Sequence, residues 1–126
     1  MADTKATVAM LKAMMNAYNK HDLDSIMSFC AEDCVLDMPR GPHPYGQRFI
    51  GAAAVREALQ SRFDGIPNVR YDDDNHFVTG DMGVSQWTLR GKTPGGEHIE
   101  VRGLDILTFR NGKITKKDAY WKIVER

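Results

Sequence analysis

The sequence lacks most of the features that mark a specialised class of protein. Its 126 residues include only two cysteines, too few for a disulfide scaffold. No stretch approaches the roughly 20 apolar residues of a transmembrane helix, and charges interrupt the first dozen residues, where a secretory signal would be apolar. We therefore expect a cytoplasmic protein with no membrane partner.

Neither sign of charge is in excess, because lysine plus arginine and aspartate plus glutamate both number 17. A balanced surface gives no electrostatic reason to expect nucleic acid as a partner. The length suits a single domain, residues 1–126. Cys30 and Cys34 lack the further ligands that a metal site needs nearby, so we interpret them as small buried hydrophobes. We expect neither a metal nor a cofactor.

Helical patterns fill much of the first half of the chain. Apolar residues recur at helical spacing after a possible cap at Asp3 or Thr4, again after Asp22, and a third time over residues 52–63. A short strand, residues 34–38, lies between the second and third helices. The loop that follows it has three prolines and three glycines and carries His43 and Tyr45, residue types that often line a site.

Strand patterns fill the second half. The acidic run Asp72-Asp73-Asp74 lacks the glycine and the distant glutamate of a calcium loop, so it predicts a solvated bulge or edge. The longest strand signal, residues 97–124, turns at residues 110–112 to form a hairpin. Helices followed by antiparallel strands predict an α+β fold. We expect three helices over the concave face of a curved antiparallel sheet, a cone whose interior holds a pocket.

Three local patterns resemble the nuclear transport factor 2-like superfamily, which includes SnoaL-like polyketide cyclases, ketosteroid isomerases and limonene epoxide hydrolases. They are residues 19–35, with Asn19-Lys-His-Asp22 and Ala31-Glu-Asp-Cys34; residues 39–57; and residues 109–114, Phe-Arg-Asn-Gly-Lys-Ile. The resemblance implies a cystatin-like cone and a single SnoaL-like domain. It leaves the reaction open, because this fold hosts many chemistries.

By resemblance to ketosteroid isomerase, Asp105 falls on the aspartic acid that helps to bind the developing oxyanion. That family is the standard example of a carboxylic acid kept neutral by an apolar site. The tyrosine that completes that site falls at Met14, and the proton-moving aspartate falls at Met38. Asp37 is one residue away, on the opposite face of a strand. We therefore do not expect a steroid isomerase of the standard type. The Arg-x-Asp pair of limonene epoxide hydrolase is absent from the strand that contains Trp87.

Asp105 is the candidate site residue that the chain itself singles out, because a carboxylate inside an apolar strand is costly unless it is partnered or protonated. Alternation places Val101, Gly103, Leu107 and Phe109 on the same inner face. A three-residue turn would set Lys117 opposite Asp105, bury Trp121 and keep Asp105 ionised. A two-residue turn would set Asp118 opposite it and create a titrating pair. Burial of Trp121 favours the first.

Two functions remain open. The first is a cofactor-independent enzyme that moves protons on an apolar carbonyl compound, as an isomerase, cyclase or dehydratase. The second is a non-catalytic binding or dimerisation module. The candidate catalytic residues are Asp105, Tyr18, His43 and Lys117, and the candidate pocket residues are Met14, Met38, Tyr45, Trp87, Phe109 and Trp121. The outer sheet face is apolar in its middle, which predicts a homodimer through that face.

Overall fold

The computed structural model describes residues 5–125, which form three helices and six strands. In chain order these are α1 Val8–Asn19, α2 Leu23–Ser28, β1 Cys30–His43, β2 Gly46–Ile50, α3 Ala52–Gly65, β3 Arg70–Thr79, β4 Met82–Lys92, β5 His98–Arg110 and β6 Lys113–Trp121. The predicted α+β class is confirmed. None of these helices is long and apolar enough to cross a membrane.

The helices bury the faces that their spacing predicts. In α1 the buried residues include Leu11, Met14, Met15 and Tyr18, and in α3 they are Val55, Ala58, Leu59 and Phe63. The cap of α1 is Thr7, whose Oγ1 accepts a hydrogen bond from the Met10 amide at 3.2 Å. The expected caps Asp3 and Thr4 lie outside the described residues.

The six strands form one curved, open sheet in the order β2-β1-β6-β5-β4-β3. The sheet is antiparallel as expected, except that β1 and β6 are parallel neighbours. The parallel pair arises because the chain returns to β1 only after five further elements. Helix α1 packs on β3 and α3 packs on β1, which places both helices over one face of the sheet.

The segment predicted to be a loop after residue 38 is instead a β-hairpin, in which β1 continues to His43 and β2 returns from Gly46. Its prolines are tolerated because β1 pairs with β6 only as far as Asp37, and β2 is an edge strand. A Cβ on Gly46 would lie 1.8 Å from the Met38 carbonyl oxygen, so only glycine permits this close approach.

The β5–β6 hairpin has a register that neither predicted alternative contains. Asn111 and Gly112 both have positive φ and form a two-residue turn, with Arg110 opposite Lys113. A register shift then follows, and Ala119 lies opposite Asp105. Both predicted neighbours of Asp105, Lys117 and Asp118, are therefore wrong as direct partners. The extra residue is in β6, where Ile114 pairs with Phe109 and Lys116 pairs with Thr108.

Alternation along β5 is as predicted. Val101, Asp105, Leu107 and Phe109 are buried beneath the helices, whereas His98, Glu100 and Thr108 are exposed on the other face. The acidic run of β3 is a bulge on an edge strand, as predicted, with a register shift between Asp72 and Asn75. The buried side chains between helices and sheet form the hydrophobic core, and Asp105 lies among them.

Candidate active site

Asp105 is 3 % exposed and lies on the inner face of the central strand β5. Its Oδ2 accepts a hydrogen bond from Trp87 Nε1 at 3.0 Å and lies 3.8 Å from Lys117 Nζ. Its Oδ1 is buried and has no hydrogen-bond partner among the described residues. A buried oxygen without a hydrogen-bond partner lowers the stability of the folded state by about 1–3 kcal/mol. No hydrogen bond within the described residues offsets this cost at Oδ1.

A glycine positions the indole that holds Asp105. Gly103 lies opposite Trp87 across the β4–β5 ladder, and a Cβ at this position would lie 2.5 Å from the Trp87 ring. The missing side chain lets the indole lie across β5, where its N–H reaches the carboxyl two residues further along the same face. The Trp87 ring is itself fixed by an edge-to-face contact with Tyr71, whose ring centroid is 5.3 Å away.

Lys117 joins Asp105 to Tyr18. Its Nζ donates a hydrogen bond of 2.6 Å to the Tyr18 hydroxyl and lies 3.9 Å from the centroid of that ring. Lys117 reaches Asp105 diagonally, because it lies two residues from Ala119 on the same face of β6. Three of the four predicted catalytic residues, Asp105, Tyr18 and Lys117, are therefore close together.

Burial controls the ionisation of this cluster. Burial raises the pKa of Asp105 above its ordinary value, against the opposing effects of the Lys117 charge and the Trp87 hydrogen bond. Lys117 acts in the expected direction, because its charge lowers the pKa of Asp105, but burial has the larger effect and the net shift is upward. Burial also raises the pKa of Tyr18 well above its usual value, and that of Tyr71 to about 12. Both phenols remain neutral near pH 7.

Two neighbouring cavities share part of their walls, and Asp105 lines the smaller one. The first is an inner cavity of about 30 Å³, whose wall includes Asp105, Tyr71, Trp87, Lys117 and Ala119. That volume holds about one water molecule. The second is a larger, more open cavity of about 580 Å³ between α3 and the β1–β2 hairpin, which we call the vestibule. Its wall includes Met38, Phe49, Ile66, Trp121, Arg40 and Arg62.

The same three side chains, Met38, Arg62 and Trp121, line both spaces. The Arg62 guanidinium lies over the Trp121 ring, with its central carbon 4.9 Å from the centroid. Arg62 and Trp121 therefore stand between the vestibule and Asp105. Of the predicted pocket residues, Met38, Trp87 and Trp121 lie at the inner cavity.

The remaining predicted residues lie elsewhere. His43 is exposed at the tip of the β1–β2 hairpin, where its ring stacks on Tyr45 at 5.0 Å. Tyr45 packs against Arg48 and lines a separate surface cavity, away from Asp105. Met14 and Phe109 are buried in the core and line neither the inner cavity nor the vestibule. The hairpin that replaces the predicted loop carries His43 and Tyr45 away from the cone.

Asp37 is a second buried carboxylate, 1 % exposed, on the opposite face of the sheet. It receives two hydrogen bonds from Arg48, at 2.8 and 3.0 Å, and Lys116 Nζ lies 3.6 Å away. These hydrogen bonds lower its pKa. Asp37 is therefore a fixed anion with a structural role, as expected for a residue one position out of phase with the inner face.

Sequence reasoning missed two residues of the site, Tyr71 and Arg62. Tyr71 is the first inward-facing residue of β3, and the only sequence feature that could have placed it inside is the alternation of side chains along that strand. Arg62 is three residues after Leu59 on α3, and helical spacing places it beside the buried face of that helix.

A polar chain runs from buried Ser85, next to Asp105, through buried His76 to exposed Asp74. Ser85 is opposite Asp105 on β4, its Oγ lies 2.9 Å from His76 Nδ1, and His76 Nε2 lies 2.6 Å from Asp74 Oδ2. The order Ser-His-Asp matches that of hydrolytic triads, but Ser85 is fully buried and cannot present its hydroxyl to a substrate. No group of metal-binding side chains is present within residues 5–125.

Comparison with known proteins identifies the family. A SnoaL-like domain matches residues 11–117. A proposed polyketide cyclase from Xanthomonas campestris pv. campestris is 25 % identical, with a TM-score of 0.79 over 90 % of this chain and 88 % of that one. TerC, crystallised with polyporic acid, is 20 % identical, with a TM-score of 0.78 over 91 % and 90 %.

A protein with a cystatin-like fold from Xanthomonas campestris is 21 % identical, with a TM-score of 0.76 over 92 % of this chain and 90 % of that one. Among curated proteins, none matches the chain. The SnoaL-like match covers most of the sequence, and the TM-scores show that the fold is similar to those of these structures. The chain therefore belongs to the family of SnoaL-like domains.

Proposed function

We propose that this protein is a cofactor-independent enzyme that moves protons on a carbonyl-containing small molecule, as an isomerase, cyclase or dehydratase does. The observation that supports this most directly is Asp105 Oδ1, a buried oxygen with no hydrogen-bond partner beside a water-sized cavity. A carboxyl group with a raised pKa can donate a proton to a developing enolate oxygen, or accept one from carbon once it is ionised.

The neighbours of Asp105 suit this role. Trp87 fixes Oδ2 and leaves Oδ1 free, so the carboxyl group has a defined orientation. Lys117 lines the inner cavity with Asp105 and donates to the oxygen of Tyr18, which lies outside the cavity wall. Asp105 would exchange the proton, Lys117 would stabilise negative charge on the oxygen of the substrate, and Tyr18 would position the Lys117 ammonium group. The structural relatives include a proposed polyketide cyclase and TerC, which was crystallised with polyporic acid, and both support a small-molecule ligand.

Hydrogen–deuterium exchange at carbon tests this function without a known substrate. 2-Tetralone, a flat apolar ketone with exchangeable α-hydrogens, would be incubated in D₂O and followed by proton NMR. We expect the wild-type protein to accelerate exchange above the buffer rate, Asp105→Asn to lose at least about tenfold of that acceleration, and Asp24→Asn, an exposed carboxylate on α2, to retain it. Equal acceleration by the wild type and Asp105→Asn would contradict the proposal.

A non-catalytic binding module is the second candidate, and the small size of the inner cavity favours it. A space of about 30 Å³ admits no substrate beside Asp105 unless Arg62 or Trp121 moves. A binding module would shift the NMR signals of Trp121 on addition of 2-tetralone and would leave the α-exchange rate at the buffer value. The same titration therefore separates the two functions.

We also propose that the functional unit is a homodimer through the outer sheet face. Phe77, Met82 and Tyr120 are 50 %, 45 % and 52 % exposed there, and Leu104 and Ile106 lie between them, half-buried. An apolar sheet face of this kind is typical of a protein interface. Sedimentation equilibrium of the wild-type protein measures the mass directly, and a monomer at micromolar concentration would exclude the proposal.

A further inference from the structure

The vestibule contains two arginines that no carboxylate neutralises. Within residues 5–125, Arg48, Arg56, Arg70, Arg90 and Arg110 each form a salt bridge with an aspartate or glutamate, and Arg102 donates to oxygens of Thr88 and Asp73. Arg40 and Arg62 have no such partner among the described residues, and both line the vestibule. The unpaired guanidinium groups of the described chain are thus gathered at one cavity.

The other walls of the vestibule are suited to a flat apolar ring. Met38, Phe49, Ile66 and Trp121 line it, and the Arg62 guanidinium covers the face of Trp121. A cation–π contact at a partly exposed site is weak, so a ligand that offers an anion and a stacking surface can displace Arg62 from the Trp121 ring. Glu57 also lines the vestibule and forms no salt bridge with either arginine.

We propose that the vestibule binds an aromatic or polycyclic ligand that carries an anionic group, a carboxylate or an ionised enol, and that Arg62 is its principal anion contact. A guanidinium group binds such oxygens through paired hydrogen bonds. When Arg62 turns toward the anion, it leaves the Trp121 ring, which opens the wall that the vestibule shares with the inner cavity. This inference rests on the proposed function in one respect, because it names the class of substrate that reaches Asp105.

Binding of 2-naphthoate, compared with the uncharged 2-naphthamide, tests the inference by isothermal titration calorimetry. We expect naphthoate to bind at least about tenfold more tightly, because a hydrogen bond to a charged group contributes about 1.5–3 kcal/mol. Arg62→Gln should remove this preference, and Arg62→Lys should restore part of it. Arg56→Gln is the matched control, because Arg56 lies on the same helix but pairs with Asp24 on the surface.

The Trp121 indole signal in NMR locates the bound probe and should move with naphthoate in the wild type. Equal affinity for the two probes would overturn the inference, and so would a loss of affinity that is the same for Arg62→Gln and Arg56→Gln. The outcome is separable from that of the 2-tetralone experiment. Selective binding of naphthoate without α-exchange would support the anion site and contradict the proposed enzymatic function. Accelerated α-exchange without selective binding would support the enzymatic function and contradict the anion site.

Discussion

The two buried carboxylates should give the stability of this protein opposite dependences on pH. Asp105 has a raised pKa because of burial, so the folded state holds its proton more tightly than the unfolded chain does. Its contribution to stability is full below the unfolded pKa of about 3.9 and is lost as the pH rises through the folded pKa. Asp105→Asn removes this loss, because asparagine does not titrate.

The difference in free energy of unfolding between Asp105→Asn and the wild type should therefore increase as the pH rises above about 4, and level off above the folded pKa. Its slope cannot exceed about 1.4 kcal/mol per pH unit for one proton. Urea denaturation at intervals of half a pH unit from about 2.5 to 8 measures it, and the points below pH 4 cover the range in which the Asp37 control titrates. The altered hydrogen bonding of asparagine changes the free energy of unfolding by an amount that does not vary with pH. The change of the difference with pH is therefore the quantity that tests the prediction.

Asp37→Asn is the control with the opposite sign. The Arg48 hydrogen bonds lower the pKa of Asp37, so its contribution is present above the unfolded value and is lost as the pH falls through the folded value. The variant should therefore be least destabilised, relative to the wild type, at the lowest pH. A flat or falling difference for Asp105→Asn would refute the reasoning, since it would mean that the Lys117 charge outweighs burial at Asp105.

Two further variants test the packing around the site. Asn19→Ala should lower the free energy of unfolding by about 1–2 kcal/mol, because the Asn19 side chain accepts from the Tyr71 amide at 2.7 Å and donates to its carbonyl at 3.0 Å. Asn16→Ala on the same helix is its control, and a similar loss there would contradict this account. Ile106→Glu should convert the proposed dimer to a monomer in sedimentation equilibrium while leaving the circular dichroism unchanged; a persistent dimer would place the interface elsewhere.

Sequence reasoning predicted those parts of the fold in which buried residues recur with the period of a helix or a strand. The buried face of α3 follows from the spacing of Val55, Leu59 and Phe63, and the inner face of β5 follows from strict alternation. Asp105 stood out for the same reason, because a carboxylate broke an apolar pattern. These signals come from residues close together in the chain, so no knowledge of tertiary contacts was needed.

The parts that sequence did not predict depend on distant contacts. The prolines after Met38 favoured a loop, yet an edge position in the sheet tolerates them, and edge position is a property of the assembled sheet. Helical spacing places Arg62 beside the buried face of α3, but its position at the cavity depends on Trp121, which is 59 positions away in the chain. The size of the inner cavity likewise depends on how the side chains of several elements fill the cone.

The single extra residue in β6 decides which charges face Asp105. The two-residue turn at Asn111-Gly112 alone would direct Lys116 and Asp118 inward. The register shift after Ile114 reverses the phase of the strand, so Lys117 reaches Asp105 and Tyr18.

The same shift sends Lys116 to the outer face, where its Nζ lies 3.6 Å from Asp37. One bulge thereby supplies a cation to each of the two buried carboxylates, on opposite faces of the sheet. Asp37 also receives the paired hydrogen bonds of Arg48 and is held as an anion. Among the described residues, Asp105 has a diagonal lysine and an indole N–H as partners, and with these weaker partners burial raises its pKa, whereas that of Asp37 is lowered.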